Sequence, residues 1–392
     1  MTGAPLPTGT GTHRPPGGVT PLSLPKTAAP RRRRNRQRRM KRKAWLIRRQ
    51  KKILRHKHRA GRQQPFDSDR WLGLPLNEHT KDSVSIEDGK LVIHLPNRLD
   101  FEDNYEQTAS HLQLLRKAVR DARPVRRLEF DDLEFISPSA ALVLASEVDR
   151  WNQKVRGRLK ANVDTWKTDI KRLLRQMGYF DLLNIEEPDE PLPSGKMTFL
   201  RFIKGEVTDL ESAQLAKKLR VEIENVFGLE IQKQFLFEGL SEAITNVGQH
   251  AYQQTNFFTV QQWWVSASFD SENRILCVTF YDQGVGIPIT LPKSKFFEHV
   301  RDVFSGWTDS RKIKAAMEIG RTSTGRTERG KGLQNFIEFA KSHREGQLSI
   351  YSLRGRYREN FYLDSSADRV PSELRDYQNS IGGTLIEWSV KL

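Results

Sequence analysis

The distribution of charge divides this chain into a part that cannot fold by itself and a part that can. Residues 1–65 contain 20 lysines and arginines and no aspartate or glutamate. Residues 66–392 hold 45 basic and 48 acidic residues, a net charge of −3, although the whole chain carries +17. We expect residues 1–66, the basic arm, to be disordered, because such a segment buries too little apolar surface to offset the entropy lost on ordering.

The most basic stretch of the arm, residues 31–62, holds 18 lysines and arginines. Apolar residues between Trp45 and Leu54 interrupt the charge at spacings near one and two helical turns, a pattern typical of a basic amphipathic helix. Arginine-rich segments bind phosphate backbones by releasing counterions, which makes nucleic acid a candidate partner. An anionic membrane surface is the competing polyanion, and a plain solubility or localisation tail is the third alternative.

Length and composition exclude several classes of protein. A chain of 392 residues, 37% of them hydrophobic, has room for about two or three domains. The sequence has neither an apolar stretch near the roughly 20 residues of a membrane-spanning helix nor the apolar core of a signal peptide. The single cysteine, Cys277, excludes an intramolecular disulfide and a zinc site with several cysteines. We therefore expect a cytoplasmic protein.

Strand and helix patterns alternate in residues 83–186, which we expect to form the first folded domain. Asp88-Gly89, between two short strand patterns, is a pair typical of a hairpin turn. The patterns predict elements, in chain order, at 83–86, 90–95, 105–120, 127–130, 139–154, 159–163 and 168–177. Such alternation is typical of an α/β layered domain.

Part of this region resembles a known family. Residues 128–142, LEFDDLEFISPSAAL, followed by a strand and then IKRLLRQMGYFDLL, resemble a STAS domain, the fold of anti-anti-sigma factors. Members usually carry Asp-Ser-Ser/Thr-Gly before the second helix, where this chain has Ser137-Pro138-Ser139-Ala140. Ser139 lies at the position of the phosphorylatable serine, but the aspartate and glycine are missing, so the domain is STAS-like and degenerate. The alternative is that Ser139 is only a helix N-cap.

An acidic linker with several prolines, residues 187–193, precedes a second predicted domain, residues 196–392. Periodicity predicts helices at 208–226, 231–252 and 333–341 and a helical region at 294–317. Strands are predicted at 198–204, 259–269, 274–281, 347–353 and 383–390.

Three polar residues share one stripe of the second long helix. Glu242, Asn246 and His250 are spaced i, i+4 and i+8, which stacks them on one helix face. A solvated face would have the same spacing, so the other motifs decide between the two interpretations.

The next motif, DQGVGIP, follows the strand at 274–281 directly. A backbone with glycines at Gly284 and Gly286 can approach a flat ligand closely, and the Asp282 carboxylate can accept a hydrogen bond from it.

A second glycine motif, Gly330-Lys331-Gly332, opens the helix at 333–341. Backbone N–H groups at a helix N-terminus attract anions, and the side chain of Lys331 adds positive charge. The pattern is not a P-loop, because GxxxxGK[ST] is absent.

In this order, ExxxNxxxH, DxGxG, GxGL and Gly382-Gly383-Thr384 resemble the N-box, the two glycine boxes and the GT element of the GHKL ATPases. That superfamily includes gyrase, MutL, histidine kinases and anti-sigma kinases. The resemblance implies a Bergerat-type ATP-binding sandwich over residues 205–392, with ATP and Mg²⁺ as cofactors. The fold class expected for the chain is thus α/β, in the α+β two-layer sense, behind a disordered arm.

The resemblance also implies a role for each motif residue. Asn246 would be the Mg²⁺ ligand, and Asp282 would bind the adenine amino group, with Thr384 beside that contact. The chain would pass the base at Gly284 and Gly286. The phosphates would lie against Gly330, Lys331 and Gly332, under a lid in residues 293–329. Glu242 would be the catalytic base.

Several functions follow from these features. The first is a regulator that binds ATP and Mg²⁺ and acts with its STAS-like part in partner switching or signalling. The second is an active ATPase or Ser/Thr kinase of the anti-sigma-kinase type, which Glu242 favours. The third is a histidine kinase with His111 as phosphoacceptor, although the acidic residue and proline that usually follow are missing. The fourth is nucleic-acid binding through residues 31–62.

Overall fold

The first elements of the structure follow the alternation seen in the sequence. The computed structural model describes residues 76–121, 123–155, 159–188, 195–206, 212–228, 233–252, 261–291, 306–322, 332–362 and 372–392, so the basic arm lies outside the described residues. Strands β1 (Val84–Glu87) and β2 (Lys90–His94) form the predicted hairpin, whose turn residues Asp88 and Gly89 have positive φ angles of 45° and 73°.

The remaining elements of this region carry its core. They are β3 (Arg98–Leu99), α1 (Tyr105–Arg120), β4 (Val125–Glu129), β5 (Phe135–Ile136), α2 (Pro138–Val155), α3 (Thr168–Met177) and α4 (Tyr179–Leu183). β4 pairs in parallel with β2, and β5 pairs in parallel with β3. α3 ends at Gly178, whose φ of 97° is a left-handed conformation that favours glycine.

The strand predicted at 159–163 is wrong. Only one bridge joins Lys160 to Arg127, and the chain then turns into a 3₁₀ helix, Val163–Thr165. Leu159 is fully buried, so the apolar signal was real but marked a single core contact.

The second half of the chain forms an eight-stranded antiparallel sheet. The path is β12-β11-β10-β13-β9-β8-β6, and β7 also pairs with β8. The strands are β6 (Met197–Phe199), β7 (Ile203–Glu206), β8 (Gln262–Asp270), β9 (Ile275–Asp282), β10 (Glu345–Ser352), β11 (Gly355–Tyr362), β12 (Glu373–Asp376) and β13 (Thr384–Lys391). The helices are α5 (Ser212–Phe227), α6 (Lys233–Asn246), α7 (Ile287–Thr290), α8 (Asp309–Thr322) and α9 (Gly332–Lys341).

Two features of this sheet differ from the sequence prediction. The strand predicted at 198–204 is divided into β6 and β7, because its pairing with β8 shifts by one residue between Phe199, which is opposite Ser268, and Ile203, which is opposite Val265. β11 and β12 are not predicted at all, since β11 carries charge where a strand pattern needs apolar residues. Its Arg356 and Arg358 are nevertheless buried, because both pair with Glu102.

The sheet is covered on both faces. Trp263 and Val265 of β8 point into a core formed with α5, α6, α8 and α9, whereas Trp264 between them lies in the core of α1–α4. The two-layer arrangement expected for the second domain is therefore extended by a third layer, the first region of the chain. Phe66–Leu392 accordingly forms one compact unit. Among the described helices, none combines the length and apolar character needed to cross a bilayer.

A buried ion-pair network joins the layers. Glu147 on α2 is fully buried and lies 2.6 Å from the guanidinium of Arg116 on α1 and 3.2 Å from that of Arg150. Charges this far from water are held only when they are paired, because each has lost its hydration.

We expect Glu147→Ala to lower the free energy of unfolding by about 3–5 kcal/mol, because it leaves the buried Arg150 and the partly buried Arg116 without their counter-charge. Urea unfolding followed by tryptophan fluorescence measures the loss. The matched control is Glu134→Ala, whose ion pair with Lys167 is exposed and whose loss should cost less than about 1 kcal/mol. Equal effects in the two variants would contradict this assignment.

Candidate functional site

The ends of β9 and β13 bring Asp282 and Thr384 side by side. The two residues are register partners, although they lie 102 positions apart along the chain. Gly383, just before Thr384, has a φ of 122°, and a Cβ there would lie 2.0 Å from the carbonyl oxygen of Asp282. Only glycine fits this position, so the Gly-Thr pair is required by the close approach of the two strand ends.

Asp282 is a buried carboxyl whose hydrogen bonds only partly offset the cost of its burial. Burial raises its pKa to about 7, against hydrogen bonds from the backbone N–H groups of Gly284 and Thr384. The N–H of Gly284 donates to Oδ1 at 2.7 Å. A carboxylate has about four acceptor sites, so Asp282 retains capacity to accept from an amino group of a ligand.

The loop after Asp282, residues 283–286, is called the glycine loop below. It contacts the end of the helix that carries Glu242 and Asn246, the polar helix. Val285 donates its N–H to the carbonyl of Ala251 at 2.9 Å. A Cβ on Gly284 would lie 2.6 Å from that same carbonyl oxygen, and Gly286 has a φ of 86°. Both glycines of DxGxG are therefore needed, one for close approach and one for backbone conformation.

The polar helix ends in an irregular turn. α6 runs to Asn246, and Val247–Ala251 continues it as a π-helix, a form that frequently occurs at functional sites. Glu242 and Asn246 are both half-buried, and their side chains are hydrogen-bonded. Partial burial raises the pKa of the Glu242 carboxyl, and the bond from Asn246 opposes the rise. His250 is exposed in the π-turn.

Of the second glycine motif, only Gly332 falls among the described residues, as the first residue of α9; Gly330 and Lys331 lie outside them. α9 packs into the same core as α6 through Ile337 and Phe339. The predicted lid, 293–329, is described only at residues 306–322, which include α8.

One residue of this site is not predicted from the sequence. Ser352, the last residue of β10, accepts a hydrogen bond from the N–H of Ile287 at 2.9 Å and lies 3.0 Å from the Thr384 hydroxyl. It thus links the glycine loop to Thr384. Only the strand register brings it there, and a lone serine gives no signal in the sequence.

The residues present fit ATP and Mg²⁺. A buried carboxylate with spare acceptor capacity suits an adenine amino group, and a backbone without Cβ atoms leaves room for a flat base. Within the described residues, no three His, Cys, Asp or Glu side chains are grouped to hold a metal ion. The Asn246 amide oxygen is a hard ligand that could hold Mg²⁺ together with phosphate oxygens of a nucleotide.

Two candidate phosphoacceptors are inaccessible. Ser139 is 4% exposed and its hydroxyl bonds Glu387 on β13, and the N-cap of α2 is Ser137, not Ser139. His111 is 3% exposed, with Nδ1 2.7 Å from the Gln107 carbonyl and Nε2 2.8 Å from the Ser83 hydroxyl. Both ring nitrogens of His111 are occupied, which contradicts the histidine-kinase interpretation.

A separate polar cavity of about 600 Å³ lies in the first region of the chain. Its lining includes Asp131, Asp132, Glu134 and Lys167, and none of the motif residues contributes to it.

No protein-family model matches the chain, and no curated protein matches it at a significant level.

The buried Asp282 carboxyl should make the protein less stable as pH rises. Its folded-state pKa of about 7 is above the unfolded value of 3.8, so the folded state holds a proton that the unfolded state releases between these values. The contribution of Asp282 to the free energy of unfolding is then fully present below about pH 4 and is lost as pH rises toward 7. We expect Asp282→Asn to remove this loss and to exceed wild type in stability at pH 8 by up to about 4 kcal/mol.

Thermal and urea unfolding at several pH values measure the difference. Asp270→Asn is the control, because the hydrogen bond from Asn273 lowers the pKa of Asp270, which gives the opposite sign. A wild type and an Asp282→Asn variant with parallel pH profiles would contradict the raised pKa.

Proposed function

We propose that this chain binds ATP with Mg²⁺ between α6 and the sheet. The observation that carries the proposal is the meeting of Asp282 and Thr384 with a glycine loop that rests on the helix of Glu242 and Asn246. These four residues come from three separate segments, and a purely structural role requires neither a buried carboxyl nor two obligatory glycines beside it. The resemblance to GHKL ATPases assigns the same residues to the same ligand.

In this proposal each residue has a limited task. Asp282 accepts a hydrogen bond from the adenine amino group, and Thr384 borders that contact. Asn246 offers an amide oxygen to Mg²⁺, which in turn screens the phosphate charge. The phosphate site would be completed by Gly330, Lys331 and Gly332, and only the family resemblance assigns these residues to it.

We further propose a cytoplasmic regulator that works by partner switching. Support comes from the STAS-like sequence of the first region and from its position against the back of the sheet. Because Ser139 is buried against β13, we propose that the phosphoacceptor of such a system lies on a partner molecule. That partner would carry an accessible serine or threonine.

An active kinase or ATPase is the second candidate, and Glu242 favours it. A carboxyl whose pKa is raised toward neutrality is better matched to general-base catalysis than an exposed one. Its bond to Asn246 would orient it beside the metal ligand.

Nucleic-acid binding through residues 31–62 remains a prediction of the sequence. The charge pattern supports it, and these residues lie outside the described part of the chain.

We expect Asp282→Asn to weaken ATP binding by about 10- to 100-fold, which is the value of a hydrogen bond to a charged group. Asn246→Ala should remove most of the Mg²⁺ dependence of the affinity. Isothermal titration with ATP, with and without Mg²⁺, measures both effects. Asn273→Ala, an exposed asparagine in the turn between β8 and β9, is the control and should bind like wild type. If both site variants bind ATP with wild-type affinity and Mg²⁺ dependence, Asp282 and Asn246 are not part of an ATP site.

We expect Glu242→Gln to reduce any hydrolysis or phosphotransfer by about 10²- to 10⁴-fold, because the amide keeps the shape but is not a base. ATP affinity should change little. Release of ADP and transfer of ³²P to a serine-containing protein measure the reaction. If wild type shows no turnover with or without a partner, the binding-only function stands.

A further inference from the structure

The glycine loop is held from behind as well as from the front. Asp282 and Gln283 point to opposite faces of the sheet, as neighbours at a strand end do. Gln283 is 4% exposed, and its Oε1 accepts from Nε of Arg150 at 2.9 Å. Its Nε2 donates to the hydroxyl of Ser146 at 3.0 Å and to Glu147 at 3.3 Å. The side chain next to Asp282 is thus anchored entirely in α2.

The loop before Thr384 is held by α1 in the same way. Glu106 accepts from the N–H of Gln378 at 2.6 Å and from that of Asn379 at 3.0 Å. Gln113 donates to the carbonyl of Ser380 at 2.9 Å. One face of α1 therefore contacts several consecutive residues just before Gly382-Gly383.

The ion-pair network connects the two anchors. Arg116 donates to the carbonyl of Ile381 at 2.8 Å and pairs with Glu147, which also contacts Gln283. Tyr281 reinforces the junction by donating to the carbonyl of Gly382 at 2.7 Å. A change in the packing of α1 or α2 must therefore reach both loops.

Glycine-rich loops need such anchors. Gly284, Gly286, Gly382 and Gly383 have few steric limits, so ordering them costs more backbone entropy than ordering other residues. Asp282 binds a ligand with the right geometry only if the loop is already fixed, because precise placement determines the strength of a polar contact.

We propose that the STAS-like region positions the adenine-binding loops of the second domain. α2 does so by holding the side chain of Gln283, and α1 does so through Glu106 and Arg116. The inference rests on the proposed nucleotide site and deepens it. Gln283 is a positioning residue that touches no nucleotide. Because coupling is reciprocal, a nucleotide at Asp282 tightens the packing of α1 and α2 against the sheet. The occupancy of the site is thereby communicated to the STAS-like surface.

Gln283→Met tests the inference, since methionine keeps the length of the side chain and removes its hydrogen bonds. We expect ATP affinity to fall by about 3- to 30-fold. Hydrogen exchange of residues 281–287 in the nucleotide-free protein should become faster. The matched control is Gln262→Met, a buried glutamine on β8 whose Oε1 accepts from Gln153 of the same helix α2 at 3.0 Å. It should change neither the affinity nor the exchange of the loop.

Ser146→Ala is the second variant, in case Gln283→Met unfolds. It removes one acceptor of the Gln283 amide and should give a smaller change of the same sign. Loop exchange and affinity that match wild type in both variants, or that change equally in Gln262→Met, would overturn the inference. A wild type that binds no ATP overturns the proposed function instead, and the exchange comparison then still decides whether Gln283 holds the loop.

Discussion

The burial of Glu147 between two arginines is the interaction on which the rest of the structure depends. Its carboxylate lies where α1, α2 and the sheet meet, with Arg116 on one side and Arg150 on the other. Removing Glu147 and Arg150 from water, and Arg116 in part, is costly, and only their mutual attraction and further hydrogen bonds offset that cost. Each arginine uses a remaining donor on the second domain, so the network is complete only when the two regions are packed together.

The pairing of β9 with β13 turns this packing into a site. Residues of each strand alternate between the two faces of the sheet, so one strand end presents Asp282 to the helices in front and Gln283 to α2 behind. The front receives a carboxyl that is poorly solvated, and the back supplies the rigidity that such a group requires. The proposed nucleotide site lies on the front of the sheet, and the residues that position its loops lie behind it.

Local signals in the sequence predict much of this arrangement. The helix predicted at 105–120 is α1 to the residue, and the turn at Asp88-Gly89 is confirmed by its positive φ angles. The placement of Thr384 beside Asp282 is implied only by the family resemblance of the motifs, and the strand register brings the two residues together. β11 is missed because its arginines are neutralised by Glu102, a residue more than 250 positions away. Ser352 and Gln283 are missed for the same reason, since register and distant partners leave no local pattern.

The stacking of Tyr105 on Tyr377, with ring centroids 3.6 Å apart, has a consequence for how the protein folds. α1 precedes the large antiparallel sheet in the chain, yet its partners lie at residues 377–382, more than 250 positions further on. Contacts of such high sequence separation form slowly, and the surfaces awaiting them are exposed in the meantime. The face of α1 that binds residues 377–382 therefore stays without these partners until that distant segment has been synthesised and has folded against it.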